Sequence, residues 1–278
     1  MTVTSTRISL AKPVFDEEMK QAALDALEND RYTKGENVFK FEEEFARYIG
    51  VKYSVSTNSG TAALHIAFTA LGLKPGDEVV TTPLSFIATA NSVIHAGGVP
   101  KFADIRFEDY NIDPALVKEA ISERTRGLLP VHLFGYPADI EAMREVCDSR
   151  GISLVEDACQ AHGAIFKGRK VGGLGDVGCF SFYPSKNLWV PGDGGMATTD
   201  DEDIARAMAK LADCGRVSHY EHDMVGYTYR LSSVNAAVGR IQLRRLDELN
   251  VRRRDLADEY RDMLGEIAEI QLPPRGNS

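Results

Sequence analysis

The chain has 278 residues, enough for one large domain, or for one domain and part of another, at about 150 residues per domain. Hydrophobic residues at 44% and charged residues at 26% exclude a disordered chain, and no apolar run approaches the ~18 residues that a membrane-spanning helix needs. The net charge of -9 comes with no large lysine or arginine cluster, because Arg252 to Arg254 follows the acidic LDEL of a helix, so nucleic-acid binding is disfavoured.

The start, MTVTSTRISLAKP, lacks a basic segment followed by a long apolar stretch and a cleavage site, so a cytoplasmic protein is expected. Residues 1–35 read as an N-terminal segment. From about residue 36 to residue 213, helical periodicity alternates with strand-like runs, the pattern of an α/β domain with a mostly parallel sheet. In Glu36 to Gly50 the residues Val38, Phe41, Phe45 and Tyr48 share one helical face, and Gly50 stops the helix. The strand Lys52 to Ser56 follows, then an amphipathic helix marked by Leu64, Ala67, Phe68 and Leu71 and ended by Gly72.

Further strands are expected at Glu78 to Thr82, Val99 to Ala103, Gly127 to Val131, Ile152 to Glu156, Val177 to Phe182 and Met196 to Thr199, making seven in all. Helices are expected between them at Ser85 to Ala96, Pro114 to Ile121 and Asp139 to Arg150, and Phe166 to Lys170 reads as a hairpin. Two more helices run from about Asp201 to Asp213 and from Val234 to Asn250. Residues 36–250 thus form a large α/β domain. Beyond residue 251 a new helix (Leu256, Tyr260, Leu264) and a strand in IAEIQLPP are expected, the start of a small C-terminal domain that the chain is too short to complete.

Lys186 stands in SFYPSKNL after a short β-type run, ahead of the GDGG at Gly192 to Gly195. Most lysines are solvated surface charges, yet one between serines and tight glycines at a strand end is a candidate imine-forming amine. Asp157 follows the apolar ISLV, at the C-terminal end of a strand, where open α/β sheets place ligands. Its ordinary reading is a helix cap or loop carboxylate; with Gln160 and His162 close by, it could instead hold a pyridinium N–H. Ser59, Gly60 and Thr61 lie between a strand and a helix, where free N–H groups would hold a phosphate or simply begin the helix. A phosphate cradle, a strand-end carboxylate and a strand-end lysine together specify pyridoxal phosphate. Cys147, Cys159, Cys179 and Cys214 show no CxxC pairing, so buried thiols and no metal site are expected.

The runs NSGTAALHIAF (Asn58 to Phe68), PLSFIATANS (Pro83 to Ser92), VHLFGYPAD (Val131 to Asp139), EDACQAHGA (Glu156 to Ala164), FSFYPSKNL (Phe180 to Leu188) and GYTYRLSSVNAAVGRIQL (Gly226 to Leu243) carry a resemblance. Over nearly its whole length the chain resembles the DegT/DnrJ/StrS family of nucleotide-sugar aminotransferases, which have the aspartate aminotransferase fold, fold type I. The resemblance implies that Lys186 bears the imine to the cofactor, that Asp157 faces the pyridine nitrogen and that Gln160 lies near the phenolic oxygen. It implies Gly60, Thr61 and Ser181 at the phosphate and the Phe86 ring stacked on the cofactor, where the residue alone reads as a core Phe on the helix after Pro83. His162 is placed to line the sugar pocket or to serve as a structural histidine.

Members of the family commonly have asparagine at the third position of GYxYR, reaching the phosphate in the partner subunit; here it is Thr228, with a shorter reach. Full-length relatives continue into a small domain that covers the site. The resemblance implies a homodimer with shared sites that moves an amino group from an amino acid, L-glutamate by resemblance, to a nucleotide-linked keto sugar. Lys186 would move the proton between the donor α-carbon and the cofactor. Two alternatives stand beside this: a sugar 3-dehydratase of the same family, which has histidine in place of Lys186, and a non-catalytic, cofactor-binding regulatory or scaffold protein.

Overall fold

The computed structural model describes Ser9 and residues 11–275. Residues 1–8 and 10 of the expected N-terminal segment, with most of the MTVTSTRISLAKP start, and the last three residues of 251–278 lie outside the described residues. The elements follow in the order α1 (Glu17–Asn29), α2 (Glu36–Ile49), β1 (Tyr53–Thr57), α3 (Gly60–Ala70), β2 (Glu78–Thr81), α4 (Ala88–His95), β3 (Val99–Phe102), α5 (Pro114–Ala120) and β4 (Thr125–Leu129). After a single 3₁₀ turn come α6 (Ile140–Arg150), β5 (Ser153–Asp157), β6 (Ile165–Phe166), β7 (Arg169–Lys170), β8 (Val177–Ser181), β9 (Gly195–Thr199), α7 (Glu202–Ala212) and α8 (Ser233–Leu264).

Seven strands form one sheet in the order β1-β9-β8-β5-β4-β2-β3, and β6 pairs with β7 as the expected hairpin. Only β9 runs against its neighbours; the β8-β5-β4-β2-β3 stretch is parallel throughout. Strands covered on both faces carry short continuous apolar runs rather than alternation, which explains ISLV before Glu156 and VGCF in β8. Along β8 the pleat still sorts side chains: Val177 and Cys179 join the core under α3 and α7, while Phe180 and Phe182 join the core under α2 and α8. Ser181 therefore turns toward α3.

α2 forms as expected, with Val38, Phe41, Phe45 and Ile49 buried along one stripe and Gly50 ending it at φ 89°. α3 differs from expectation. It is buried almost all round, from Ala62 to Phe68, because it is packed between the sheet and α4 and α7. α1 was not anticipated: Asp16 caps it by accepting from Met19 N–H, and its small apolar face, with Met19 and Ala26, rests on α8.

The helix expected to end at Asn250 does not end there. α8 runs unbroken from Ser233 to Leu264; its first part packs on α1 and α2, and its residues beyond Asn250, such as Leu256, Tyr260 and Met263, are exposed. No strand forms across IAEIQLPP among the described residues.

The α2–α8 contact depends on one missing side chain. A Cβ at Gly239 would lie 2.8 Å from the ring of Phe41, which is boxed in by Phe182 at 5.2 Å and Phe45 at 6.0 Å between centroids. Gly239→Val is expected to cost about 3 kcal/mol by overpacking. A fall in the urea midpoint at unchanged slope would measure it, and an unchanged midpoint would show that the ring can yield.

Candidate active site

Asp157 ends β5, paired in register with Cys179 of β8, so the C-terminal ends of these neighbouring parallel strands open side by side. The carboxylate is buried. Its Oδ2 accepts from the Thr89 hydroxyl at 2.7 Å and its Oδ1 from the Cys159 N–H at 3.2 Å. The Thr89 hydroxyl is in turn 2.8 Å from that of Ser85. The backbone is pinned as well: Asp157 N–H donates to the Pro130 carbonyl at 2.9 Å, and the Asp157 carbonyl accepts from His132 N–H at 3.0 Å.

Behind this lies a buried pair. The Ala138 N–H donates to His132 Nδ1 at 3.0 Å, so the ring proton sits on Nε2 and is donated to Glu156 Oε2, also at 3.0 Å. Glu156 accepts further from the N–H groups of Gly172, Leu174 and Gly175. Burial alone would raise its pKa, but His132 and these N–H groups outweigh it and hold the carboxyl below its usual range.

Ser59 caps α3, its hydroxyl accepting from Ala62 N–H at 3.1 Å. Intrahelical bonding begins only beyond the first turn, so the N–H groups of Gly60 and Thr61 stay free for an anion at the positive helix end. A Cβ at Gly60 would lie 2.7 Å from Ser181 Cβ and 2.9 Å from Cys159 Sγ. Glycine at this position therefore brings the helix end directly against the ends of β5 and β8.

Lys186 lies five residues past β8, in the loop to β9, and is half-buried. Its N–H donates to the Tyr183 carbonyl at 2.8 Å, while Val190 N–H and Phe182 N–H continue the ladder at the loop's base, bonding Phe182 and Gly194 carbonyls. The loop follows directly on Ser181, which faces Gly60 at the start of α3. Desolvation and the neighbouring Asp157 push the Cys159 thiol well above its usual pKa, so it stays protonated. Cys159 and Cys214 are half-buried rather than fully buried as expected; Cys147 and Cys179 are buried, and all four are free.

Gln160 follows in the turn after β5, its Oε1 accepting from Phe134 N–H at 3.0 Å. Phe86 is 67% exposed in the loop before α4, which excludes the core reading of that ring. Thr228 is exposed: its hydroxyl lies 3.3 Å from Cys214 Sγ, and its carbonyl accepts from Asn58, next to the α3 cap, at 3.4 Å.

His162 is 3% exposed and packs between Phe180 and Phe182, at 5.6 and 6.0 Å between centroids, with neither ring nitrogen hydrogen-bonded among the described residues. That is a core position beneath the crevice. Burial, with the charges of Lys186 and Arg253 acting in the same direction, lowers its pKa to about 3. Below the ordinary histidine pKa the unfolded chain takes up a proton that the folded chain refuses, so stability falls with acidification from about pH 6.5 toward pH 3. His162→Phe is expected to remove about 2 kcal/mol of the stability difference between pH 7 and pH 5. Urea melts at both pH values would show it, and an unchanged difference would mean that the ring titrates normally.

Sequence reasoning quoted the motifs holding Thr89, His132 and Glu156 without assigning them roles. A hydroxyl one helical turn from Ser85, and a carboxylate directly before Asp157, were the available signals. No group of three or more metal-ligating side chains occurs among the described residues, and no described helix is long and apolar enough to cross a membrane.

A mostly parallel seven-stranded sheet flanked by helices defines the fold type I aminotransferase architecture, matched by solved structures of that class. The chain belongs to the DegT/DnrJ/EryC1/StrS aminotransferase family, whose model matches residues 13–277. It is 43% identical over 247 residues to the dTDP-3-amino-3,4,6-trideoxy-alpha-D-glucose transaminase of Streptomyces venezuelae, covering 89% of this chain and 65% of that protein. The crystal structure of S. venezuelae DesV in complex with a ketimine intermediate superposes with a TM-score of 0.91 at 42% identity, over 93% of this chain and 70% of that one. NtdA from Bacillus subtilis, solved with bound cofactor PMP, gives 0.84 at 31% identity, over 96% and 63%. The chain spans about two thirds of the length of the curated relative named here.

Proposed function

We propose that this chain carries the cofactor and amine-transfer site of an aminotransferase that acts on a nucleotide-linked keto sugar, with L-glutamate as donor and pyridoxal phosphate as cofactor. The observation that supports it most is the convergence of Asp157, Gly60 and Ser181 at adjoining strand and helix ends, with Lys186 on the loop that follows β8. The residues fit the cofactor. The free N–H groups of Gly60 and Thr61, which the close packing of Gly60 sets beside Ser181, suit a phosphate, and a buried carboxylate that accepts from two donors among the described residues, Thr89 and Cys159, retains accepting capacity for a ring N–H.

When bound, pyridoxal phosphate supplies an electron sink for the carbon that bears the transferred amine. Gly60, Thr61 and Ser181 would hold its phosphate, Asp157 its ring nitrogen, Gln160 its phenolic oxygen and Phe86 its exposed face. Lys186 Nζ would take the proton from the donor α-carbon and return it, as a positioned general base and acid. Thr228 is the candidate for a contact to a partner subunit's phosphate in a homodimer. A sugar 3-dehydratase is disfavoured by lysine at position 186.

The test is spectroscopic. Protein loaded with pyridoxal phosphate should show a visible band that bleaches with L-glutamate and returns when a nucleotide-linked keto sugar is added. A band that no amino acid bleaches would favour a binding-only protein instead.

A further inference from the structure

We infer that Asn250 is a positioning residue for Lys186, joining the lysine loop to the turn that follows Asp157; this rests on the function proposed above. Asn250 sits on α8, far from both segments in sequence, and is 9% exposed. Its Nδ2 donates to the His162 carbonyl at 2.8 Å, and its Oδ1 accepts from Asn187 Nδ2 at 3.2 Å and from Arg253 at 3.2 Å. The His162 carbonyl can only accept, which fixes the amide's orientation and leaves Oδ1 for Asn187.

The neighbours enforce the bridge. At Gly163 a Cβ would lie 2.9 Å from Asn250 Nδ2 and 2.5 Å from the Tyr48 hydroxyl, so glycine there lets the turn reach the amide. Tyr48 is itself tied to α8 by donating to Asp247 at 2.6 Å. At the far end of the loop, Asn235, also on α8, donates to the Asp193 carbonyl at 3.0 Å. One helix thus holds the lysine loop at two points, Asn187 next to the lysine and Asp193 at the loop's far end, and through Asn250 it ties Asn187 to the segment bearing Asp157 and Gln160. Asparagine meets both requirements because it offers donor and acceptor on one short, stiff side chain; aspartate lacks the donor and leucine lacks both.

The experiment compares Asn250→Ala and Asn187→Ala with the unaltered chain. Without cofactor, amide hydrogen exchange across residues 183–190 should quicken about fivefold in each variant, reporting a loosened loop. With pyridoxal phosphate bound, the pH midpoint of the visible band should move by about half a unit or more. Amine transfer should show kcat reduced about tenfold with KM nearly unchanged, the pattern of a misplaced group rather than of lost binding.

Asn187→Ala leaves α8 and its packing intact, so it decides the matter if Asn250→Ala does not melt cooperatively. Unaltered exchange and an unaltered midpoint in the cooperatively folding variants, beside an unaltered chain whose band depends on Lys186, would overturn the inference and leave the proposed function standing. A chain with no Lys186-dependent band would overturn both.

Discussion

Replacing Lys186 by alanine is expected to slow amine transfer about 10⁴-fold, the upper range for one positioned acid–base group, and to abolish the visible band of the loaded protein. Lys186→Arg should be as inactive, because a guanidinium keeps the charge but stays protonated and offers no free electron pair. The pair of variants separates the lysine's charge from its nucleophilic nitrogen. The fold should be untouched in both, since the loop is anchored by its backbone ladder and by Trp189 packed near Phe15 at 6.3 Å, not by the lysine side chain. A Lys186→Ala protein with an identical band would remove the basis of the proposed function.

The second large effect is at Asp157. Asp157→Asn is expected to lower turnover about 10²- to 10³-fold, the scale of losing one preorganised electrostatic contact, and to speed cofactor loss on dialysis. The substitution spares the fold: the new amide oxygen can accept from Cys159 N–H while its nitrogen donates to the Thr89 hydroxyl, which can serve as acceptor. Charge is then the main quantity changed. An asparagine variant that turns over at the rate of the unaltered chain would show that the carboxylate only shapes the strand end.

The sheet was legible in the sequence for a physical reason. Strands covered on both faces are short apolar runs bounded by polar ends, and GLLPV, ISLV and VGCF stand out for that reason. The same rule misled at α3, where an apolar helix was read as half-exposed although α4 and α7 cover its outer side. α1 escaped notice because its buried face rests largely on alanines, which give a weak periodic signal, although Asp16 and two glutamates mark its start. The unbroken course of α8 follows from the absence of proline and glycine between Gly239 and Gly265; the loss of its apolar stripe after Asn250 looked like a new element but is the point where the helix leaves the core.

At the site, residues that end strands or begin helices could be singled out as candidates from local pattern, as Asp157 and Gly60 were, whereas Lys186, expected at a strand end, lies five residues past β8 in a loop. Thr89 and Asn250 could not be singled out that way. Thr89 is 68 residues from the carboxylate it holds and Asn250 is 63 from Asn187, so their roles exist only after distant elements have packed. His162 was ambiguous in sequence because the β-type run after it gives no sign that Phe180 and Phe182 enclose the ring.

The length of α8 has a geometric consequence. Past Asn250 it extends 14 more residues, about 21 Å of stiff rod at 1.5 Å per residue, anchored at one end in the interior. Such a rod acts as a reduction gear: a tilt that carries its tip by about 4 Å turns its root by only about 10°. Whatever grips the outer arm therefore acts on the loop that carries Lys186 with amplitude exchanged for force, and random jostling at the tip reaches that loop much diminished.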